Sequence, residues 1–233
     1  MIAILTIVRY PRWFGWAGFI SMALFRFPLW MNRKISFWKL LGSGKNGTFD
    51  IKPDWRQWAL LIVSKEQTFQ PGKFIEAWWH FFKCEKLTFV LEPIEGHGTW
   101  DGKMCFGNLP KQTAYDGMIA VLTRATIKLS RLNHFWKNVN TVATKMNTAE
   151  GFVTSFGIGE VPWIKQATFS IWQTKEHMRT FAYQMQEHKE VIRKTKQEQW
   201  YSEDMFVRFK ILAVTGSLNG QGSVLPEHKK TLL

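Results

Sequence analysis

Cysteine is nearly absent from this 233-residue chain: Cys84 and Cys105 show neither metal-ligand spacing nor a disulfide framework, and no CxxCH offers covalent haem attachment. Disulfide scaffolds and zinc ribbons are therefore excluded. Nucleotide and hydrolase motifs are missing too. GSGKNGT at Gly42 resembles a phosphate loop, but Lys39 sits where the first Gly of GxxxxGK[ST] is needed and Asn46 replaces the Ser or Thr. No GxGxxG follows a strand, and neither HExxH nor GxSxG occurs. Nucleotide cofactors, zinc hydrolysis and serine hydrolysis lose support, and the glycine pairs are expected to form tight strand-edge turns. Acidic residues are also scarce, 18 against 31 Lys plus Arg, which leaves a net charge of +13.

Aromatic residues are abundant. Hydrophobic residues make up 45% and aromatics 15% of the chain, with 13 Trp and 19 Phe, so it folds, as one large domain or two small ones. From Trp13 to Trp30 an 18-residue run carries only Arg26 as a charge, which is the lower limit for a membrane span. Its many Trp and Phe, Pro28 near its end and a preceding strand-like MIAILTIVRY favour a buried or surface-docking helix over a span. No small-residue cleavage site follows, so a signal peptide is not expected.

The chain repeats itself. MIAILT at Met1 recurs as MIAVLT at Met118, LLGSGKNG as SFGIGEVP, QWALLIVSKEQTF at Gln57 as QATFSIWQTKEHM at Gln166, and GTWDG at Gly98 as GSLNG at Gly216. The offsets stay between 109 and 118 in unchanged order. In the second half the patterns predict a strand over Met118 to Lys128, a helix over Leu129 to Met146 and strands over Gly151 to Val161 and Gln166 to Gln173. A long helix from Lys175 to about Trp200 and a strand over Glu203 to Thr215 follow. The first half predicts strands Ile2 to Val8, Ile35 to Leu41, Trp55 to Ser64 and Leu87 to Pro93, with helices Trp13 to Leu29 and Lys73 to Lys83. Each half reads β-α-β-β-α-β, the ferredoxin-like order. One such unit leaves a sheet face bare, so the expected fold is α+β: tandem ferredoxin-like repeats, 1–110 and 111–220, closing a single-chain, pseudo-dimeric α+β barrel, with 221–233 as a flexible tail. The space between a sheet and its long helix is a natural ligand site.

Helical phase sorts the histidines. On the Lys175 to Trp200 helix, Met178, Phe181, Met185 and Ile192 form the apolar stripe, and His188 falls in its gap, pointing inward. His134 opposes Leu132, Trp136 and Val139, and His80 opposes Phe74, Trp78 and Phe81, so both should face water. His97 falls in a Gly-rich loop and His228 in the tail. His177 lies about 16 Å from His188 along the helix, too far to share a metal. An inward histidine among Met, Phe and Ile is either a hydrogen-bonded core residue or the single axial ligand of a haem in a flat apolar pocket. Arg124 shares a strand face with Ala120 and Leu122, and Arg208 one with Phe206. Each is either a strand-end ion pair, with Glu160, Glu203 or Asp204 as partner, or a fixed cation for a haem propionate or bound oxygen. The net charge fits poorly with nucleic acid, because the cations are scattered without a ribonucleoprotein motif. Peripheral contact with an anionic membrane fits better, since Arg9, Arg12, Arg26, Arg33 and Lys34 flank the greasiest helix. Docking an acidic electron carrier fits equally.

ATFSIW at Ala167, FAYQMQEHKEVIRKT at Phe181 and WYSEDMFVRF at Trp200 together resemble the spheroidene monooxygenase family of carotenoid ketolases. LTRATI at Leu122, FGIGEVP at Phe156, FWKLLGSGKNG and DWRQWALL extend the match across most of the chain. The resemblance implies a haem b monooxygenase oxidising C-2 of an acyclic carotenoid such as spheroidene, with oxygen and reduced ferredoxin as co-substrates. Other α+β barrel haem proteins hold haem by a histidine from the second repeat, which by position is His188, with Phe181, Met185 and Ile192 around it. Arg124 or Arg208 would act as the catalytic cation. Trp13, Phe14, Trp16, Phe19, Phe25 and Trp30 would line or dock an aromatic tunnel, and the protein would be cytoplasmic, peripheral on the inner membrane face. Two alternatives stay open: a dehydratase on the same haem fold, and a non-enzymatic barrel binding a hydrophobic small molecule.

Overall fold

Strand β1 (Ile2–Arg9) is buried without a break from Ile2 to Val8, the mark of a strand covered on both faces. Ala3, Leu5 and Ile7 point into one apolar cluster, while Val8 belongs to a second beneath the helices. The computed structural model describes residues 1–44, 53–66, 71–184 and 199–219, without the side chains of 138–144, 183 and 184. After β1 come α1 (Gly15–Leu24), α2 (Arg26–Met31), β2 (Ile35–Gly44), β3 (Pro53–Ser64), α3 (Lys73–Phe81) and β4 (Glu85–Gly98). The second half supplies β5 (Ile119–Ile127), α4 (Leu132–Met146), β6 (Phe152–Val161), β7 (Lys165–Trp172), α5 (Lys175–Gln184) and β8 (Tyr201–Gly216).

The eight strands close a barrel in the order β1-β3-β2-β6-β7-β5-β8-β4, every pair antiparallel. Closure removes all sheet edges. Two seams join the halves, and each joins equivalent strands. Ser43 faces Ile158, its counterpart at the offset of 115, and Glu92 faces Lys210, its counterpart at 118. A pseudo-twofold axis thus crosses both seams, as the expected α+β barrel requires. Inner-face residues from both halves, among them Leu5, Leu61, Phe89, Leu122, Phe169 and Phe209, make one shared core.

Three expectations are corrected. The helix expected over Trp13 to Leu29 is broken at Phe25. Pro28 has no N–H to donate to Leu24, and its ring crowds that carbonyl, so α1 stops and α2 begins afresh. On α3 the buried face is Ile75 and Trp79, continuing to Phe82, whereas Phe74 and Phe81 are exposed. The strand expected to end at Pro93 runs to Gly98, which places His97 in β4, stacked on Phe206. Gly98 has φ +88, and a Cβ there would lie 2.2 Å from the Asp204 carbonyl oxygen, so only glycine permits the close turn that leaves β4. His80 and His134 are exposed, as expected. Among the described residues no helix is long and apolar enough to cross a membrane.

Candidate active site

The barrel wall divides the two arginines singled out in the sequence. Along β5 the side chains alternate, so Ala120, Leu122 and Arg124 face the interior while Ile119 and Val121 face outward beneath α5. Arg208 is the cross-strand neighbour of Val121 and shares its outward face. The structure therefore does not bring Arg124 and Arg208 together.

Arg124 sits at one barrel end under the loop that follows β4. Only 1% of its side chain is exposed, and it pairs with Glu203, with Asp101 at 3.5 Å and with Glu160 at 3.7 Å. Its guanidinium lies 5.5 Å from the ring centre of Trp100, whose Nε1 donates to Glu160 at 2.6 Å. Lys39 bridges Asp101 and Glu160, and Lys165 reaches Asp101 at 2.7 Å. Three cations thus meet three carboxylates. Burial alone would raise the Glu203 carboxyl, but hydrogen bonds from the Gly102 N–H, the Thr99 hydroxyl and Arg124 outweigh it and hold the group at about 2. Asp101 is opposed by burial in the same way and is brought to about 2 by Lys165 and Lys39.

Arg208 occupies a different setting. It pairs with Glu95, which is 3% exposed and also accepts from Lys175 Nζ at 2.8 Å and from the Thr113 N–H at 3.1 Å. Glu95 reaches this face through a β-bulge: the register passes from Pro93 opposite Phe209 to Glu95 opposite Arg208, skipping Ile94. Without the bulge Glu95 would follow Leu87, Phe89 and Leu91 into the core. Lys175 is the first residue of α5, so the cluster ties the start of that helix to the sheet. Two cations share one carboxylate, and the Arg208 Nε is buried with no hydrogen-bond partner among the described residues. Burial pushes the Arg208 guanidinium down from its ordinary range.

Around this cation the outer face is apolar. Ile119, Val121 and Trp172 pack against Met178 and Phe181 of α5, with the Phe181 ring 5.3 Å from that of Trp172 and tilted by 33°. The inward phase expected for Met178 and Phe181 is thereby observed. His188, Met185 and Ile192 lie outside the described residues. Burial pushes Cys84 and Cys105 up to about 12, so both remain thiols at neutral pH, and among the described residues no group of His, Cys, Asp and Glu could hold a metal ion.

A separate cleft of about 250 Å³ opens at the β2–β6 seam. Phe19 and Met22 of α1, Trp55, Trp58, Trp136 and Trp163 form its walls, and Gly42, Gly44 and Gly159 lie along its strands. The Trp13 to Trp30 aromatics divide accordingly: Phe19 lines the cleft, Phe25 is core at 1% exposure, and Trp13, Phe14, Trp16 and Trp30 are exposed.

No protein-family model matches the chain. Curated relatives do. The spheroidene monooxygenase of Rhodobacter capsulatus is 34% identical over 210 residues, 86% of each chain. The chain belongs to the spheroidene monooxygenase family. The Cereibacter sphaeroides member is also 34% identical, over 82% of this chain and 60% of its own length. Among solved structures, an aldoxime dehydratase bound to butyraldoxime superposes with a TM-score of 0.60 at 7% identity, covering 90% of this chain and 79% of that one. That likeness shows the shared α+β barrel. In this member of the spheroidene monooxygenase family, the apolar outer face under α5 and the aromatic cleft at the seam are separate parts of the barrel.

Reasoning from sequence found Arg208 and its face but missed Glu95, Lys175 and Thr113. For Arg124, Glu203 and Glu160 were among the anticipated partners and Asp101 was not. The Pro93 and Gly96 that bracket Ile94 and Glu95 were the only signal of the bulge that turns Glu95 outward.

Proposed function

We propose that this protein is a haem-dependent monooxygenase that introduces a keto group at C-2 of an acyclic carotenoid such as spheroidene. The observation that carries the reading is the 34% identity to a spheroidene monooxygenase over 86% of both chains. Each hydroxylation consumes one O2, two electrons from reduced ferredoxin and two protons, and releases water. Two at one carbon give a geminal diol, which loses water to leave the ketone.

The outer face under α5 fits the cofactor on the chemistry of its groups. An apolar wall of Ile119, Val121, Trp172 and Phe206 suits a flat ring, and the orphaned N–H of buried Arg208 suits a carboxylate such as a propionate. When bound, haem would supply the one-electron and oxygen chemistry that no side chain here provides. Arg208, fixed by Glu95, would hold and orient that carboxylate, while Trp172 and Phe181 exclude water. His188, which the sequence spacing puts in phase with Met178 and Phe181, would supply an imidazole to hold the iron. Arg124 lies across the sheet from α5, so Arg208 is the cation assigned to the site. The cleft at the seam, walled by four Trp, suits a rigid polyene end.

The test is the ultraviolet-visible spectrum of protein expressed with haem precursor, beside His188→Ala, followed by oxygen-dependent carotenoid turnover. A Soret band near stoichiometric occupancy, lost or shifted in the variant, is expected. A well-folded wild type that stays colourless after haem reconstitution overturns the reading.

A further inference from the structure

Residues 1–49 contain no Asp or Glu; the first acid is Asp50. The same stretch holds more than half of the exposed large apolar side chains among the described residues. Along α1 and α2, Ala17, Gly18, Ser21, Phe25 and Leu29 turn to the barrel, because Gly18 lets α1 approach so closely that a Cβ would lie 2.1 Å from Trp58 Nε1. The opposite face carries Trp16, Ile20, Leu24, Phe27 and Met31 at spacings of three and four, exposed by 40 to 66%. Trp13 and Trp30, at 81 and 75% exposure, stand near the two ends of this stripe. Beside it, Leu24, Phe27, Pro28, Met31, Asn32 and Phe74 line an open trough of about 640 Å³, and Phe81 of α3 is 77% exposed. A contiguous apolar face of this kind on a folded protein marks an interaction surface.

Its charges select the occupant. Arg12, Arg26 and Arg33 are exposed around the stripe, with Lys73 on α3. The one acid on α1, α2 or α3 is Glu76, which pairs with Lys86. Trp at the margins, aliphatic and Phe residues between them and a rim of arginine match the headgroup region of a bilayer whose surface is negative. A protein partner would meet few directional polar groups on this face. We infer that the α1–α2 face, extended by Phe74 and Phe81, docks on the surface of an anionic phospholipid bilayer. Docking is in-plane, since neither α1 nor α2 is long enough to span. Phe19 and Met22 of the same α1 helix wall the aromatic cleft, so docking brings the cleft to the lipid surface, where an apolar ligand is dissolved.

The inference stands on surface chemistry and does not depend on the reaction. It is tested by sedimenting the full chain with vesicles of phosphatidylcholine alone and with vesicles containing about one quarter phosphatidylglycerol. Wild type is expected to bind the anionic vesicles at least about tenfold more tightly than the neutral ones, with the difference shrinking as salt rises. The double variant Trp13→Ser, Trp30→Ser is expected to lose about tenfold or more of the anionic binding while its far-ultraviolet circular dichroism is unchanged. Absent or lipid-indifferent binding, or a variant that binds like wild type, overturns the inference. So does a lipid-free dimer that the same variant dissociates, which would assign the face to a second copy of the chain.

Discussion

At the scale of single residues, Glu95 is the side chain on which most depends. It is the shared partner of two cations, Arg208 and Lys175, on a face where all three are largely buried. Removing it leaves both charges in an apolar setting, so Glu95→Ala is expected to destabilise the fold by about 3–5 kcal/mol in urea titration. Replacing Glu95 and Arg208 together by Leu and Met should recover much of that stability while abolishing the cation. If the single variant were neutral, the cluster would not hold α5. The cluster around Arg124 responds to acid. Glu203 and Asp101 titrate at about 2, below their ordinary values of 4.5 and 3.8. A carboxyl depressed in the folded state adds stability that is present above its unfolded value and disappears as pH falls through the folded one. Stability should therefore decline from about pH 4.5 to pH 2, and Glu203→Gln should flatten that decline in chemical denaturation at stepped pH.

Elements show where sequence reasoning holds and where it slips. Strand and helix order was legible because the repeat lets each half check the other. The face of Arg208 was legible because strand alternation is a period of two and Phe206 marks its side. Two things were hidden. A bulge shifts that period by one residue, so Glu95 after Ile94 changes face without any change in composition. On α3, the sequence KFIEAWWHFF carries two apolar stripes of equal spacing, Phe74, Trp78 and Phe81 beside Ile75, Trp79 and Phe82. Periodicity alone cannot choose between them. The sheet chooses the second, and of the first Trp78 stays half-buried while Phe74 and Phe81 are left to the outer surface that α1 and α2 also expose. Trp79→Ala is accordingly expected to cost about 3–5 kcal/mol, whereas Phe81→Ala should stay within about 0.5 kcal/mol of wild type in the same thermal or urea assay. The reverse ranking would restore the stripe read from sequence.

For the whole molecule, the pairing of equivalent strands at both seams has a consequence that a single-half ferredoxin-like unit would not share. β2 meets β6 and β4 meets β8, each antiparallel, and counterparts face each other at Ser43 and Ile158 and at Glu92 and Lys210. Antiparallel pairing of like strands is what a twofold axis generates between two identical chains. The first half ends its last strand at Gly98 and begins the second at Ile119, so residues 1–117 hold one complete four-stranded sheet. Alone, that sheet would bare Leu5, Leu61, Leu87 and Phe89, which in the barrel face the core supplied by the other half. Burial of such a face is the main source of stability for either half, so the isolated piece has no route to a folded monomer. It is expected to associate through β2 with β2 and β4 with β4, rebuilding the barrel as a homodimer, or to aggregate. Sedimentation equilibrium decides the matter. A folded, dispersed monomer of the first half would mean that the two sheets do not depend on one another, and that the shared core is not what holds the barrel closed.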